Sequence, residues 1–203
     1  NSFDDSGKSV INQTGELVCL KPFPSMPIYF WNDENNQKYI DAYFTEFENV
    51  WTHGDFVEIN DRGGVKILGR SDATLNPGGV RIGTAEIYRV VENMLEIEDS
   101  LIIGQNFNDD QRIILFVKLN EGEKLTNNLI SKIKSLIKQN CSPRHVPSLI
   151  FEVDEIPYTI NGKKVEIAVK RVIEGKEITN LDALSNPKSL DQFKKFPELF
   201  LDE

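Results

Sequence analysis

The spacing of apolar residues changes in the middle of the chain, and this change constrains the fold more than any other feature of the sequence. Before about Leu68 the apolar positions form short runs between turn-forming residues, which is typical of β-strands. After Gly69 several stretches carry an apolar face with helical periodicity. The predicted strands lie at 15–20, 55–59, 65–68, 100–103, 113–119 and 149–153, and the predicted helices begin at Thr84, Thr126 and Gly162. We therefore predict an α+β fold, with a β-rich first part followed by a compact α+β domain in which helices pack on a small sheet.

The charge balance and the cysteine count exclude several classes of protein. The chain has 32 acidic and 23 basic residues, a net charge of −9, and non-specific nucleic-acid binding requires a cationic face, so we expect no nucleic-acid partner. No run of about 18 apolar residues occurs, so we expect no membrane span or membrane partner.

Cys19 and Cys141 have no metal-ligand spacing, and we predict no metal site, two buried thiols and a reducing, cytoplasmic location. We interpret His145 as structural. The first residues lack an initiator Met and any signal-peptide pattern, so we expect a piece of a longer protein.

Three polar clusters could carry chemistry: THGD at 52–55, GRSD at 69–72 with the stretch that follows it to Arg81, and PYTINGKK at 157–164. Asp55 follows a glycine at the entrance of a predicted strand, where a carboxylate can accept two hydrogen bonds from a ribose diol. An ordinary turn aspartate fits the same pattern. Arg70 and Arg81 carry guanidinium groups suited to phosphate or ribose oxygens, although both residues could equally lie on a solvated face.

The third cluster places a cation where a helix disfavours one. Lys163 follows Gly162 at the start of the predicted third helix, and a helix dipole favours anions at that end. A bound anion would explain the lysine, while the alternative is a solvent-facing side chain in a polar loop. In the second cluster Gly78 and Gly79 lack Cβ atoms. This either lets a ligand approach the backbone closely or allows a tight turn.

The order and spacing of the three clusters resemble those of the adenylate-forming enzymes, a superfamily that includes acyl-CoA synthetases, peptide-synthetase adenylation domains and firefly luciferase. The clusters are similar to its nucleotide aspartate motif, hinge motif and C-terminal lysine motif, and the resemblance covers nearly the whole chain. Residues 69–88 are most similar to the acetoacetyl-CoA synthetase family, as are KPFPSMP at 21–27, SPRHVP at 142–147 and SNP at 185–187. Ala73 after the hinge and Glu166 after the lysine motif depart from the wider superfamily and fit this branch better.

The resemblance implies a domain organisation. Residues 1–69 would be the β-rich C-terminal end of the large N-terminal adenylation domain. Residues 70–203 would be the mobile C-terminal domain, with a hinge at 70–72 and a C-terminal tail. The phosphate loop and the acyl pocket of the superfamily would lie upstream. We therefore expect the missing N-terminal domain to be a partner of this chain, and the chain alone to be inactive.

The resemblance also implies an activity and a set of site residues. The activity would be that of an AMP-forming acetoacetate–CoA ligase, with acetoacetate, ATP and CoA as substrates, and with Mg²⁺ held mostly by residues outside this chain. The implied roles are catalysis for Lys163, the hinge for Asp72, CoA binding for Gly79, and nucleotide binding for Asp55, Arg70, Asn76 and Arg81. Three alternatives stay open: a ligase for another short-chain acid, a luciferase-like oxygenase, and a non-catalytic module that binds nucleotide or CoA.

Overall fold

A computed structural model describes residues 1–71, 73–178 and 180–199. The chain divides into two compact units, Asn1–Asp72 and Ala73–Glu203, which are called unit 1 and unit 2 below. The division lies close to the boundary predicted between residues 69 and 70. The assignment of the two parts to domains of a larger enzyme stays a prediction.

Unit 1 is built on a four-stranded antiparallel sheet in the order β1-β2-β3-β4. Its strands are β1 Ser2–Phe3, β2 Thr14–Cys19, β3 Trp51–Ile59 and β4 Val65–Arg70. The three longer strands confirm the runs predicted from the sequence, because each carries apolar residues bounded by glycine, asparagine or proline. The turn between β3 and β4 closes when the Asn60 side chain accepts hydrogen bonds from the backbone of Arg62 and Gly64.

Unit 1 also contains a short helix that the apolar pattern does not predict, α1 Gln37–Tyr43. The Asp33 carboxylate accepts hydrogen bonds from the backbone amides of Lys38 and Tyr39, at 2.9 and 2.8 Å, and so satisfies donors in the first turn. At the other end Tyr43 stacks on Trp51 with ring centroids 3.6 Å apart. The helix therefore depends on a preceding carboxylate and on ring packing, and seven residues are too few for a clear periodic signal.

Unit 2 has a three-stranded sheet with helices packed on it, as the sequence predicts, and the structure places helices on both faces. Strands β5 Ile97–Phe107 and β6 Asp110–Leu119 pair antiparallel, and β7 Leu149–Glu152 runs parallel to β6. Helices α2 Thr84–Val91 and α3 Asn127–Asn140 supply one apolar cluster with the sheet. Helix α4 Glu166–Ile173 and the tail supply the other. Neighbouring residues of one strand, such as Leu115 and Phe116 in β6, belong to opposite clusters because strand side chains alternate between faces.

Two boundaries in unit 2 differ from the sequence prediction. The β5–β6 connection is a two-residue turn rather than a longer loop, since Asn108 and Asp109 both adopt positive φ angles, 50° and 58°, which match the twist of a tight hairpin. Helix α4 begins at Glu166 and not at Gly162, because residues 158–164 form a turn closed by an antiparallel bridge between Tyr158 and Lys164.

The tail folds into short helices, 3₁₀ segments at Leu181–Ala183, Pro187–Lys195 and Pro197–Leu199. It covers one face of the sheet with Leu190, Phe193 and Leu199, all of them buried. Among the described residues no helix has the length and apolar character needed to cross a membrane.

Candidate functional site

In unit 1 the Asp55 carboxylate lies between a histidine and an arginine. Asp55 and Arg70 are directly opposite each other on β3 and β4, so the sheet register brings them together. One carboxylate oxygen lies 2.6 Å from His53 Nδ1, and the other lies 3.9 Å from Arg70 Nη1. The Asp55 side chain is only partly exposed, whereas the other two are about half exposed. The arrangement holds an oriented carboxylate that is still open to solvent.

Gly54 shapes this cluster through its backbone. Its φ of +81° is a left-handed conformation that favours glycine, and a Cβ atom built here would lie 2.7 Å from Arg70 Nη2. Its amide donates a 2.9 Å hydrogen bond to Glu16 Oε1 on β2, and its carbonyl accepts one from the Ser71 amide. Burial raises the pKa of the Glu16 carboxyl, and hydrogen bonds from Ser71 and from the backbone of Gly54 and Asp55 partly offset this effect. Sequence reasoning missed Glu16 because it lies 38 residues from Gly54.

A glycine comparison tests how far Gly54 controls the arginine. Gly54→Ala and Gly63→Ala both impose a positive φ on alanine, and each should lower the free energy of unfolding by about 1–2 kcal/mol. At Gly63 no atom lies within 4 Å of the added Cβ, so only Gly54→Ala should displace the Arg70 guanidinium. Urea denaturation measures the first effect, and the Arg70 Nε NMR resonance measures the second. An Arg70 resonance that does not move in Gly54→Ala would contradict the assigned close approach.

In unit 2 the loop of Asn76 and Gly79 is held against the β5–β6 turn. The Gly78 amide donates to both carboxylate oxygens of Asp110, at 2.8 and 3.1 Å, and the Asn76 amide donates to Gln111 Oε1 at 2.6 Å. Hydrogen bonds from the backbone of Gln111 and Gly78, together with the charge of Arg144, lower the pKa of Asp110. The loop and the turn line an open cleft, and a Cβ at Gly79 would meet nothing within 4 Å. Gly79 therefore faces accessible space, and its role in CoA binding stays a prediction.

Lys163 lies in the turn that precedes α4, so the prediction that it begins a helix is wrong. The turn is closed by a hydrogen bond from the Thr159 amide to the Lys163 carbonyl, 2.8 Å, and by one from the Lys163 amide to Thr159 Oγ1, 3.0 Å. Gly162 takes a φ of +71° at its tip. The Lys163 side chain is exposed, and among the residues that the structure describes none forms a hydrogen bond or ion pair with its ammonium. It is thus a cation available to a ligand.

The neighbouring Lys164 has the opposite environment, and sequence reasoning missed it. Its side chain is 17% exposed and pairs with Glu92 and with Asp99, the latter at 2.7 Å. Its ammonium also lies 4.4 Å from the centroid of the Tyr88 ring, within cation–π range. Tyr158 donates a 2.7 Å hydrogen bond to Asp99, and burial followed by this bond raises the pKa of the Tyr158 hydroxyl. Lys164 anchors the turn while Lys163 projects from it.

The remaining predicted residues are less informative. Arg81 is exposed and is the last residue of the loop closed by the bridge between Leu75 and Ile82. Asp72, predicted as the hinge, lies outside the described residues. His145 accepts or donates a 2.8 Å hydrogen bond with Ser142, and its other ring nitrogen lies 3.5 Å from the Glu86 carboxylate of α2.

Two further expectations concern thiols and metals. Both cysteines have free thiols and are half-buried rather than buried as predicted. In the described ranges, no group of three or more His, Cys, Asp or Glu side chains could hold a metal ion. The expectation that Mg²⁺ ligands lie mostly elsewhere in a larger protein stays a prediction.

Comparison with known proteins relates the chain to one group of ligases. No family model matches it. It is 52% identical over 200 residues to an acetoacetyl-CoA synthetase of Xenopus tropicalis and 54% identical over 197 residues to one of Rhizobium meliloti. The matches cover 98% and 97% of this chain and 30% of each relative. The chain thus spans about 30% of the length of the curated relatives it matches.

Comparison with solved structures identifies the same group of proteins. The acetoacetyl-CoA synthetase from Streptomyces lividans superposes with a TM-score of 0.89 at 42% identity, over 96% of this chain and 30% of that one. An anthranilate CoA ligase superposes with a TM-score of 0.68 at 21% identity, over 80% of this chain and 31% of that one, which shows a shared fold. By sequence and by fold, nearly the whole chain is similar to about 30% of the length of acetoacetyl-CoA synthetases.

Proposed function

We propose that a protein containing this chain is an acetoacetate–CoA ligase, which uses ATP to form an acyl-adenylate and then transfers the acyl group to CoA. The observation that carries this proposal is the 54% identity to an acetoacetyl-CoA synthetase across 97% of the chain. Because the chain spans only about 30% of such relatives, we expect it to be inactive alone. Its partner would be the missing N-terminal part of the same protein. The cytoplasmic location stays a prediction.

The geometry of unit 1 supports a nucleotide role for Asp55. A carboxylate recognises a ribose diol by accepting a hydrogen bond from each hydroxyl, which requires that its oxygens be fixed in direction. His53 on one oxygen and Arg70 near the other provide that orientation. Arg70 also donates a 3.3 Å hydrogen bond to the His53 carbonyl, so its position is linked to the backbone of the motif. We assign ribose binding to Asp55 and support of the ribose side to Arg70.

The exposed ammonium of Lys163 supports a catalytic role in adenylate formation. The acid substrate and the α-phosphate of ATP are both anions, so their approach is repulsive, and negative charge develops further in the transition state. A cation between them stabilises that charge. Asn76 and Arg81 are assigned to phosphate contacts and Gly79 to the pantetheine passage. Bound Mg²⁺ would neutralise ATP phosphates.

The proposal is tested by assaying the full-length protein with ATP, Mg²⁺ and CoA against acetoacetate, acetate, propionate and longer acids. We expect thioester formation with a clear preference for acetoacetate. A preference for another acid would keep the ligase mechanism and reject the acetoacetate assignment. Absence of adenylate and thioester with every acid would reject the enzyme and favour a nucleotide- or CoA-binding module.

The proposed hinge gives a separate prediction. Asp72→Pro fixes φ near −65° and should hold the domain orientation suited to one half-reaction. We expect the ratio of adenylate-forming to thioester-forming rates to change at least about tenfold, a difference of roughly 1.4 kcal/mol between the two barriers. Asp72→Ala is the matched control, since it removes the side chain and leaves the backbone free. Equal ratios in the two variants would argue against a hinge at Asp72.

A further inference from the structure

We propose that Asn186, in the C-terminal tail, is a positioning residue that fixes the turn carrying Lys163, and thereby supports adenylate formation. The inference rests on the proposed function for its catalytic consequence, but the contact itself is a property of unit 2 alone. The catalytic lysine motif explains neither Asn186 nor the tail.

The side-chain amide of Asn186 reaches back to the segment that leads into the turn. Its Oδ1 accepts a 2.9 Å hydrogen bond from the Tyr158 amide, and its Nδ2 donates a 2.9 Å hydrogen bond to the Ile156 carbonyl. One amide therefore satisfies a donor and an acceptor two residues apart, as a paired strand would. Asn186 is half-buried, and its own carbonyl caps the next 3₁₀ segment by accepting from the Ser189 amide. Because the backbone carbonyl makes the cap, the Asn186 side chain is able to bind the segment that leads into the turn.

The tail backbone continues this pairing. The Ile160 amide donates to the Ala183 carbonyl at 2.9 Å, and the Ser185 amide donates to the Tyr158 carbonyl at 2.9 Å. Thr159 and Leu184 form an antiparallel bridge. Residues 183–186 therefore act as an added strand along one side of the turn, which is called the tail clamp below. On its other side the turn is held through Lys164.

The tail clamp has a firm support of its own. Three residues after Asn186 the tail enters the core, where Leu190 and Phe193 are 3% and 0% exposed and Phe193 packs edge-on against Phe116 of β6 with ring centroids 4.8 Å apart. The Gln192 side chain makes a separate contact just before the clamped segment, where it accepts from the Asp154 amide at 2.8 Å and donates to the Glu155 carbonyl at 2.6 Å. The clamp is therefore continuous with a packed apolar layer.

A fixed turn matters because nothing in the described residues holds the Lys163 side chain itself. The ammonium is exposed, and Gly162 beside it has wide backbone freedom. Its position relative to two reacting anions then depends on the backbone of the turn. Displacements of about 1 Å in a catalytic group can slow a reaction on the order of 100-fold.

The contact is tested first in this 203-residue chain by amide hydrogen exchange. Asn186→Ala should speed exchange of the Tyr158 amide about tenfold, and that of Ile160 by less, while the β5–β6 amides stay unchanged. Gln192→Ala is the matched control: it removes a tail amide that binds just before the clamped segment, and it should leave Tyr158 and Ile160 nearly unaffected. Unchanged exchange at Tyr158, or a uniform rise across unit 2, overturns the clamp.

The catalytic consequence is tested in the full-length protein by measuring the two half-reactions separately. Asn186→Ala should lower the rate of adenylate formation about 10- to 100-fold at saturating ATP, and leave thioester formation from supplied acyl-adenylate nearly unchanged. Asn186→Asp keeps the acceptor for Tyr158 and loses the donor to Ile156, so it should fall between wild type and alanine. If Asn186→Ala does not fold, Asn186→Asp tests the positioning role in its place.

Other outcomes separate the inference from the function on which it rests. Equal slowing of both half-reactions, or equal effects of Asn186→Ala and Gln192→Ala, would overturn the positioning role. If Lys163→Ala leaves adenylate formation intact, the proposed function of Lys163 fails, and the exchange pattern still reports whether the tail clamp exists.

Discussion

Lys163→Ala in the full-length protein is expected to slow adenylate formation by about 100- to 1,000-fold and to leave thioester formation from supplied acetoacetyl-adenylate nearly unchanged. The reason is that, in its proposed role, the lysine would face two anions only in the first half-reaction. Its ammonium is exposed and has no partner among the described residues, so its removal should not destabilise the fold. Separate pyrophosphate-release and thioester assays measure the two rates.

Two variants control this experiment. Lys163→Arg keeps the charge but changes its shape and reach, and should recover only part of the rate. Lys188→Ala removes another exposed lysine of unit 2 and should leave both rates unchanged. Equal loss of both half-reactions in Lys163→Ala would refute the assigned role, and so would a comparable loss in Lys188→Ala.

Phe193→Ala should lower the free energy of unfolding of unit 2 by about 3–5 kcal/mol. Phe193 is fully buried and fills the space between the tail and β6, so alanine leaves a cavity that the sheet cannot close without moving Phe116. Urea denaturation followed by far-UV circular dichroism measures the loss. Trp31 and Trp51 both lie in unit 1, so their fluorescence checks that this unit is still folded.

The control for Phe193→Ala is a large apolar residue that buries almost nothing. Leu95 is 92% exposed, and Leu95→Ala should change the stability by no more than about 0.5 kcal/mol. A loss below about 1 kcal/mol in Phe193→Ala would mean that the tail does not pack on the sheet as described. It would also remove the support on which the tail clamp depends.

The strands and longer helices of unit 2 could be predicted because their signal is local. Ile133 and Ile137 share one face of α3, and the Thr126 side chain accepts a hydrogen bond from the Leu129 amide as an N-cap. The continuous apolar run of β6 likewise indicates a strand that is buried on both faces. Periodicity shows which side of an element is buried, so it predicts the element without knowledge of its neighbours.

The start of α4 could not be predicted in this way. Val165, Ala168 and Val169 continue a helical spacing, and the sequence pattern extends it back to Gly162. The bridge between Tyr158 and Lys164 competes with the helix for the same backbone groups, so α4 begins only at Glu166. Local pattern does not reveal such competition, because the stability of the bridge depends on the charges that surround Lys164.

The site shows the same division between local and distant information. The sequence by itself determined the α+β organisation, the motifs that carry Asp55 and Lys163, and the resemblance that led to the family. Only the tertiary structure decided that His53 and Arg70 orient the carboxylate of Asp55, and that Asn186 clamps the lysine turn. Glu16 and Gly54 are 38 residues apart, and Asn186 and Tyr158 are 28 apart. Contacts over such separations follow from sheet register and from the path of the tail, and the hydrophobic pattern of either segment carries no information about its partner.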